Sequence, residues 1–246
     1  MTLWIIPLPT AARFQAGDEL SGPLLSAFAD AGIEPADGDI VCVASKVVSK
    51  VEGRLVPLPD AVDVHQARRI LAKQEAARIV ADGPQVLIVE THHGLVCANA
   101  GIDTSNVTDG MALLLPEDPD ASAERLRARL RAASGVDVGV VITDTFGRPW
   151  RLGQTDVAIG AAGLEVLRDE RGTTDLDGRV LEVTMVAVAD EIAAAADLVR
   201  RKADGVPFVL LRGLDATGEG TAADLVRPPE EDLFRHGAAT SEGPPS

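Results

Sequence analysis

The stretch Val138–Ile142 ends in "VGVVI", apolar without a break, and it stops abruptly at Thr143-Asp144-Thr145. A strand with one wet face alternates apolar and polar side chains. A continuous aliphatic run needs cover on both faces, which usually means helices packed on a largely parallel sheet. Val138–Thr143 is thus a strand candidate with the polar residues after it in a loop, Ile40–Ala44 ("IVCVA") and Pro207–Arg212 ("PFVLLR") have the same character, and Gln85–Glu90 and Leu181–Ala187 are further strand candidates. Helices are predicted over Glu19–Ala31, Ala61–Ala81, Ser122–Ala133 and Asp190–Lys202, where aliphatic positions recur at three- and four-residue spacing among mixed charges. Two of these precede strands, at Val138 and Pro207, so the pattern predicts a mixed α/β fold. There is no fixed-period repeat and no linker. One domain is expected over residues 1–236, followed by a small, polar, disordered tail from Gly237, "GAATSEGPPS".

Composition adds two constraints. Of the 246 residues 46% are hydrophobic but only 3% aromatic, so the core must be built from Val, Leu, Ile and Ala. The net charge of −15 argues against non-specific nucleic-acid binding and against anionic membranes. An anionic ligand would therefore need local cations or metal ions to overcome the field of the whole chain. Cys42 and Cys97 sit inside aliphatic segments and match no zinc spacing; they read as buried thiols in a reducing compartment. His92 and His93, in "ETHHG", read as exposed or loop histidines. No long uncharged apolar span exists and "MTLWIIPLPT" lacks a basic leader. A soluble, cytoplasmic protein is expected.

Three polar clusters follow aliphatic runs. In "ASKVVSKVEGR", Ser45, Lys46, Ser49 and Lys50 come directly after Ala44. Ligands of α/β folds bind beyond the carboxyl ends of strands, and a hydroxyl with ammonium groups there suits phosphate. A solvated basic turn is the plainer alternative, and the glycine spacing of a P-loop is missing. In "CANAGIDTSNV", Asn99, Asp103, Ser105 and Asn106 crowd around Gly101, which permits close ligand approach, although Asp and Asn are also ordinary turn formers. In "TDTFGRPWRLGQ", Asp144 and Thr145 offer hard oxygen donors for Mg²⁺ or Mn²⁺, and Arg148 and Arg151 can clamp a carboxylate or phosphate. The alternative here is a helix cap beside surface arginines.

The segments "GDIVCVASKVVSKVEGR", "THHGLVCANAGIDTSNV", "VGVVITDTFGRPWRLGQTDVAIGAAGL", "DLDGRVLEVTMVAVADEIAAAADLV" and "GVPFVLLRGLDATGEG" occur in order across most of Gly38–Gly220. Together they resemble the coenzyme F-420-0:L-glutamate ligase family, the γ-glutamyl ligases of coenzyme F-420. That resemblance implies a family-specific α+β fold in an intertwined homodimer. It implies a GTP-dependent ligase that adds L-glutamate to the deazaflavin acceptor F-420-0 through an acyl phosphate, with further γ-linked glutamates in some members. It implies Mg²⁺ or Mn²⁺, with K⁺ as an additional ion. Ser45, Lys46 and Lys50 match the GTP-contacting segment, and Asn106 matches a nucleotide-contacting asparagine. Asp103 and Asp144 match carboxylates that share one divalent ion, and Thr145 matches a ligand of a second.

The chain also departs from the family pattern. The N-terminal "GLP"-like turn is replaced by "PLPTAARFQAGD", and the turn after the Asp190–Leu198 helix reads "VRRKADGVP". Arg201 or Lys202 stands near the expected second-metal ligand, so either Asp204 holds that ion or a cation replaces it. The flavin-binding reductase domain of some relatives is not expected. Two alternatives stay open: a related nucleotide-dependent amide ligase acting on another acid, and a catalytically impaired nucleotide- or metal-binding relative.

Overall fold

The computed structural model describes residues 2–105, 107–200, 205–232 and 234. In chain order the elements are β1 (Trp4–Leu8), α1 (Ser21–Asp30), β2 (Ile40–Ala44), α2 (Ser45–Val51), β3 (Leu55–Pro57), α3 (Val64–Gln74), β4 (Ala76–Asp82), β5 (Leu87–Thr91), β6 (Val96–Ala98), β7 (Met111–Leu113) and α4 (Pro119–Ser134). They continue with β8 (Gly139–Arg148), β9 (Arg151–Ala162), the two-residue strands β10 (Arg168–Asp169) and β11 (Met185–Val186), α5 (Val188–Asp197) and β12 (Phe208–Arg212). The fold is mixed α and β, as the sequence pattern predicts.

The main sheet has the order β1-β12-β2-β8-β9. Only β2 and β8 run parallel; the other pairs are antiparallel. The aliphatic runs are explained by what covers them. Val41 and Val43 of β2 pack with Leu24 and Phe28 of α1 and Leu126 and Leu130 of α4. Ile40 and Cys42 point the other way, against Val188, Ile192 and Ala196 of α5. Alternate side chains of one strand thus enter two different cores, so no position can be polar. Both cysteines are buried, and burial pushes the Cys42 thiol up to about 12. A third, smaller core lies between α3 and the sheets β4-β5-β6 and β3-β7, around Leu71, Leu87, Val89 and Leu114.

The α4 helix is locally well specified. The Asp118 side chain accepts from Ala121 N at 2.9 Å, Pro119 opens the helix, and Gly135 closes it in the left-handed conformation at φ 79°. Its first turn lies so close to β9 that a Cβ on Gly160 would fall 2.4 Å from the Pro119 carbonyl oxygen.

Several expectations need correction. The helix expected over Ala61–Ala81 stops at Gln74, and β4 occupies the rest. Asp63 caps the start by accepting from Gln66 N at 2.7 Å, while β-branched Ile79 and Val80 serve a strand paired with β5. The Leu181–Ala187 strand shrinks to Met185–Val186, which pairs with the two-residue strand β10 and does not join the main sheet. Ser45–Val51 is a helix, not a turn; Val47 and Val48 face the core beneath its polar side. The run after Asp144 is not a loop but the far half of a long hairpin, in which β8 and β9 pair as far as Arg148 opposite Arg151. The strand β1 is an addition that the sequence pattern does not predict. Residues 201–204 and the tail from Gly237 lie outside the described residues.

Candidate active site

Because β2 and β8 are parallel neighbours with Ala44 opposite Thr143, their carboxyl ends open side by side. The residues just past these ends therefore meet: Ser45 at the start of α2, and Asp144 and Thr145 further along β8. The Ser45 hydroxyl donates to Asp144 Oδ1 at 2.8 Å. Asp144 is half-buried, and its carboxyl is pushed up to about 6. Burial is the main cause, and the nearby charges of Asp156 and Asp103 add to it; the Ser45 hydroxyl and Thr145 N–H act the other way.

The second cluster approaches the same place. The turn Asn99-Ala100-Gly101 is left-handed at three successive residues, with φ of 49°, 56° and 68°. It redirects the chain so that Asp103 reaches Lys46, with which it forms an ion pair. The Ser105 N–H donates to Asp103 Oδ1 at 2.7 Å, and Lys46 Nζ donates to Ser105 Oγ at 3.3 Å. Burial pushes the Asp103 carboxyl up, but Lys46 and Ser105 outweigh it and hold the group below the ordinary carboxylate range.

A cavity of about 590 Å³ opens above these groups, a size suited to a nucleotide-sized ligand. Ser45, Lys46, Lys50, Asp144 and Thr145 line it. So do Arg13, Gln154, Asp156, Asp197 and Arg200, which sequence reasoning does not single out for the site. Arg13 belongs to the irregular segment after β1, whose Phe14 packs edge-on against Phe208 at 6.2 Å. Asp156 carries a signal in hindsight, being an acid inside the apolar strand "TDVAIGAA". Its carboxylate accepts from Thr143 Oγ1 at 2.9 Å, Thr145 Oγ1 at 2.7 Å and Arg200 Nη1 at 3.0 Å.

Arg148 and Arg151 are not brought to this cavity. Both are exposed at the hairpin tip, and Arg148 Nη2 donates to the Leu152 carbonyl at 2.8 Å. Asn106, Arg201, Lys202 and Asp204 lie outside the described residues. His92 is exposed in a turn, and half-buried His93 bonds the Pro116 carbonyl at 2.9 Å. A larger depression, about 810 Å³, lies between Glu165–Arg168 and Leu214–Gly220. It is at the opposite, amino end of β2 and β8, and Glu165, Asp215, Glu219 and Asp224 make it unsuitable for phosphates.

The donor set fits a hard divalent cation. Asp144 is a half-buried carboxylate with no cationic partner among the described residues, and Thr145 stands next to it. Among the described residues no group of three or more His, Cys, Asp or Glu is arranged to hold a metal ion. Mg²⁺ takes one or two carboxylates and completes its shell with water and phosphate oxygens. Asp103, the second implied ligand, is engaged by Lys46 here.

No helix among the described residues is long and apolar enough to cross a membrane. The sequence model of the family described as F420-0:Gamma-glutamyl ligase matches residues 10–213. The coenzyme F420:L-glutamate ligase of Methanothermobacter thermautotrophicus is 44% identical over 238 residues, covering 89% of this chain and 94% of the relative. That of Methanopyrus kandleri is 44% identical over 253 residues, covering 95% and 98%. That of Methanocaldococcus jannaschii is 40% identical over 237 residues, covering 91% and 93%. Identity at that level, over nearly the whole length of each relative, places the chain in the F420-0:gamma-glutamyl ligase family.

Proposed function

We propose that this protein is a ligase that joins L-glutamate through an amide bond to the deazaflavin precursor F420-0, with GTP as the energy source and Mg²⁺ or Mn²⁺ as cofactor. The observation that carries this reading is the cavity at the parallel strand ends. There Asp144 stands without a cationic partner among the described residues, in a cavity that Lys46, Lys50 and Arg13 also line. The names of the relatives support the acceptor and the amino acid. The basic residues in an otherwise acidic chain support a phosphorylated co-substrate.

In this reading the acceptor carboxylate attacks the γ-phosphorus of GTP, the bond to the β-phosphate oxygen breaks, and GDP leaves. The glutamate amine then attacks the acyl phosphate carbonyl, inorganic phosphate departs, and the amine proton passes to solvent. The protein contributes position and charge rather than covalent chemistry. Lys50 and Arg13, which make no ion pair among the described residues, neutralise phosphate oxygens. Ser45 fixes the Asp144 carboxylate. Asp144, with Asp103, would hold a divalent ion that would withdraw charge from the transferring phosphoryl group. Asp144 thus serves as an ion holder, not a base.

We further propose a cytoplasmic homodimer. Trp150 and Leu152 at the hairpin tip are 89% and 98% exposed, and Phe234 lies beside Trp150 at 6.4 Å. Such a projecting apolar tip supports burial against a second copy. Mass spectrometry of products from F420-0, GTP and L-glutamate tests the activity. A mass increase of one glutamyl residue, with GTP consumed only when both other substrates are present, is expected. GTP left intact in the complete mixture would remove the reading.

A further inference from the structure

Besides Asp197, which lines the cavity from the end of α5, the carboxylates of Asp103, Asp144 and Asp156 gather at the open strand ends, and Asp103 and Asp156 already have a cation from the chain itself. Asp103 is paired with Lys46. Asp156, only 3% exposed, is paired with Arg200, which arrives from beyond the end of α5 on the other face of the sheet. Arg200 Nη1 donates to Asp156 Oδ2 at 3.0 Å and to Thr143 Oγ1 at 2.6 Å, and Nη2 donates to the Cys42 carbonyl at 3.3 Å. The guanidinium is nearly as buried as its partner, with side-chain exposures of 11% and 4%. Its Nε is buried without a hydrogen-bond partner among the described residues. The Asp156 charge, rather than full hydrogen-bond satisfaction, therefore accounts for its position.

With three donors, one of them cationic, the Asp156 carboxylate is electrically complete. A divalent ion placed on it would face the guanidinium charge at close range in a poorly solvated site. We propose that Arg200 is a resident counter-ion that takes the place of a second metal ion at Asp156 and confines the nucleotide-free chain to one divalent-ion site, at Asp144. Arg200 is a positioning residue: through Asp156 it also orients the hydroxyls of Thr143 and Thr145. This inference rests on the reading that Asp144 holds a divalent ion.

Mn²⁺ titration of the full chain without nucleotide, followed by electron paramagnetic resonance, tests it. The wild type is expected to bind one Mn²⁺ per chain. Arg200→Gln is expected to gain a second, weaker site, and Arg200→Gln combined with Asp156→Asn is expected to lose it again. Arg200→Lys keeps the charge and should stay at one ion. Two ions on the wild type, or one ion on folded Arg200→Gln, would overturn the role of Arg200 and leave the Asp144 site standing. No ion on the wild type would remove the Asp144 reading as well. Should Arg200→Gln fail to fold, Arg200→Lys decides: a second ion there counts against the proposal and a single ion supports it.

Discussion

Ser45 and Asp144, 99 residues apart in the chain, are joined by a hydrogen bond of 2.8 Å between Oγ and Oδ1. The bond exists because two parallel strands end level with each other, and it fixes a carboxylate that has no cation of its own among the described residues. Replacing that carboxylate by an isosteric amide should remove most of the hold on a divalent ion while keeping the shape. We expect Asp144→Asn to lower ligation about a thousandfold or more and to lose most of the thermal stabilisation that Mn²⁺ and GTP give the wild type by mass action. The metal-free variant should melt no lower than the wild type, because repulsion from Asp103 and Asp156 is relieved. Melts of both proteins with and without Mn²⁺ and GTP check this. A variant that kept the full shift would show that Asp144 is no metal ligand.

The same group sets a pH dependence. The Asp144 carboxyl is raised in the folded state from 3.8 to about 6. Its contribution to the stability of the metal-free protein is therefore fully present below about pH 4 and is lost as pH rises through about 6. Asp103, held low, contributes with the opposite sign, so the difference between wild type and Asp144→Asn isolates the effect. That difference should grow in favour of the variant between pH 4 and 7. Mn²⁺ must displace the Asp144 proton, so its affinity should be about tenfold weaker at pH 5 than at pH 7. Calorimetric titration at the two values would show it; an affinity that does not change with pH would contradict the assignment.

Much of this site is legible in the residues because its logic is local. A strand buried on both faces needs continuous aliphatics, so "IVCVA" and "VGVVIT" announce themselves, and the polar residues after them mark the open ends. The helix α2 reads as a turn because Ser45, Lys46, Ser49 and Lys50 dominate its appearance, while Val47 and Val48, which anchor it, are few. The hairpin reads as a loop because Gly147, Pro149 and Trp150 are turn residues; they make only its tip, where Trp150 takes φ 62°. Asp156 and Arg200 escape a reading of the sequence for a different reason. Their pairing with each other and with Thr143 depends on β9 folding back on β8 and on α5 crossing the opposite face, which no spacing within a segment records.

Lys50 lines the cavity from α2 without an ion pair among the described residues. A hydrogen bond to a charged group contributes about 1.5–3 kcal/mol. Lys50→Ala should therefore weaken GTP binding about ten- to hundredfold while leaving the melting temperature within a few degrees. Calorimetric GTP titration measures this; unchanged affinity in the folded variant would take Lys50 out of the site.

Gly160 tests the packing that holds β9, and with it Asp156, against α4. An added Cβ would lie 2.4 Å from the Pro119 carbonyl oxygen and 2.5 Å from its carbon, and neither backbone atom can move without shifting the first turn of α4. Gly160→Ala should cost about 1–3 kcal/mol, lowering the melting temperature by several degrees. Gly22, in the first turn of α1, has nothing within 4 Å of the same added atom, so Gly22→Ala should be neutral or slightly stabilising. Parallel thermal melts compare the two; equal effects would mean that the contact between α4 and β9 does not limit this position.

Assembly provides the last test. Trp150 and Leu152 project from the tip of the long β8-β9 hairpin, and an apolar tip of that kind gains little by staying in water. An obligate interface commonly buries roughly 2,000 Å² or more, so dimers should persist on dilution. Sedimentation of the wild type at sub-micromolar concentration is expected to give one species near twice 25.7 kDa. Trp150→Ser with Leu152→Ser should shift the population toward the monomer, with the far-ultraviolet circular dichroism unchanged, because both side chains lie outside every core of the single chain. A wild type that sediments as a clean monomer would remove the dimer. A dimer that the double variant leaves intact would place the interface elsewhere on the chain.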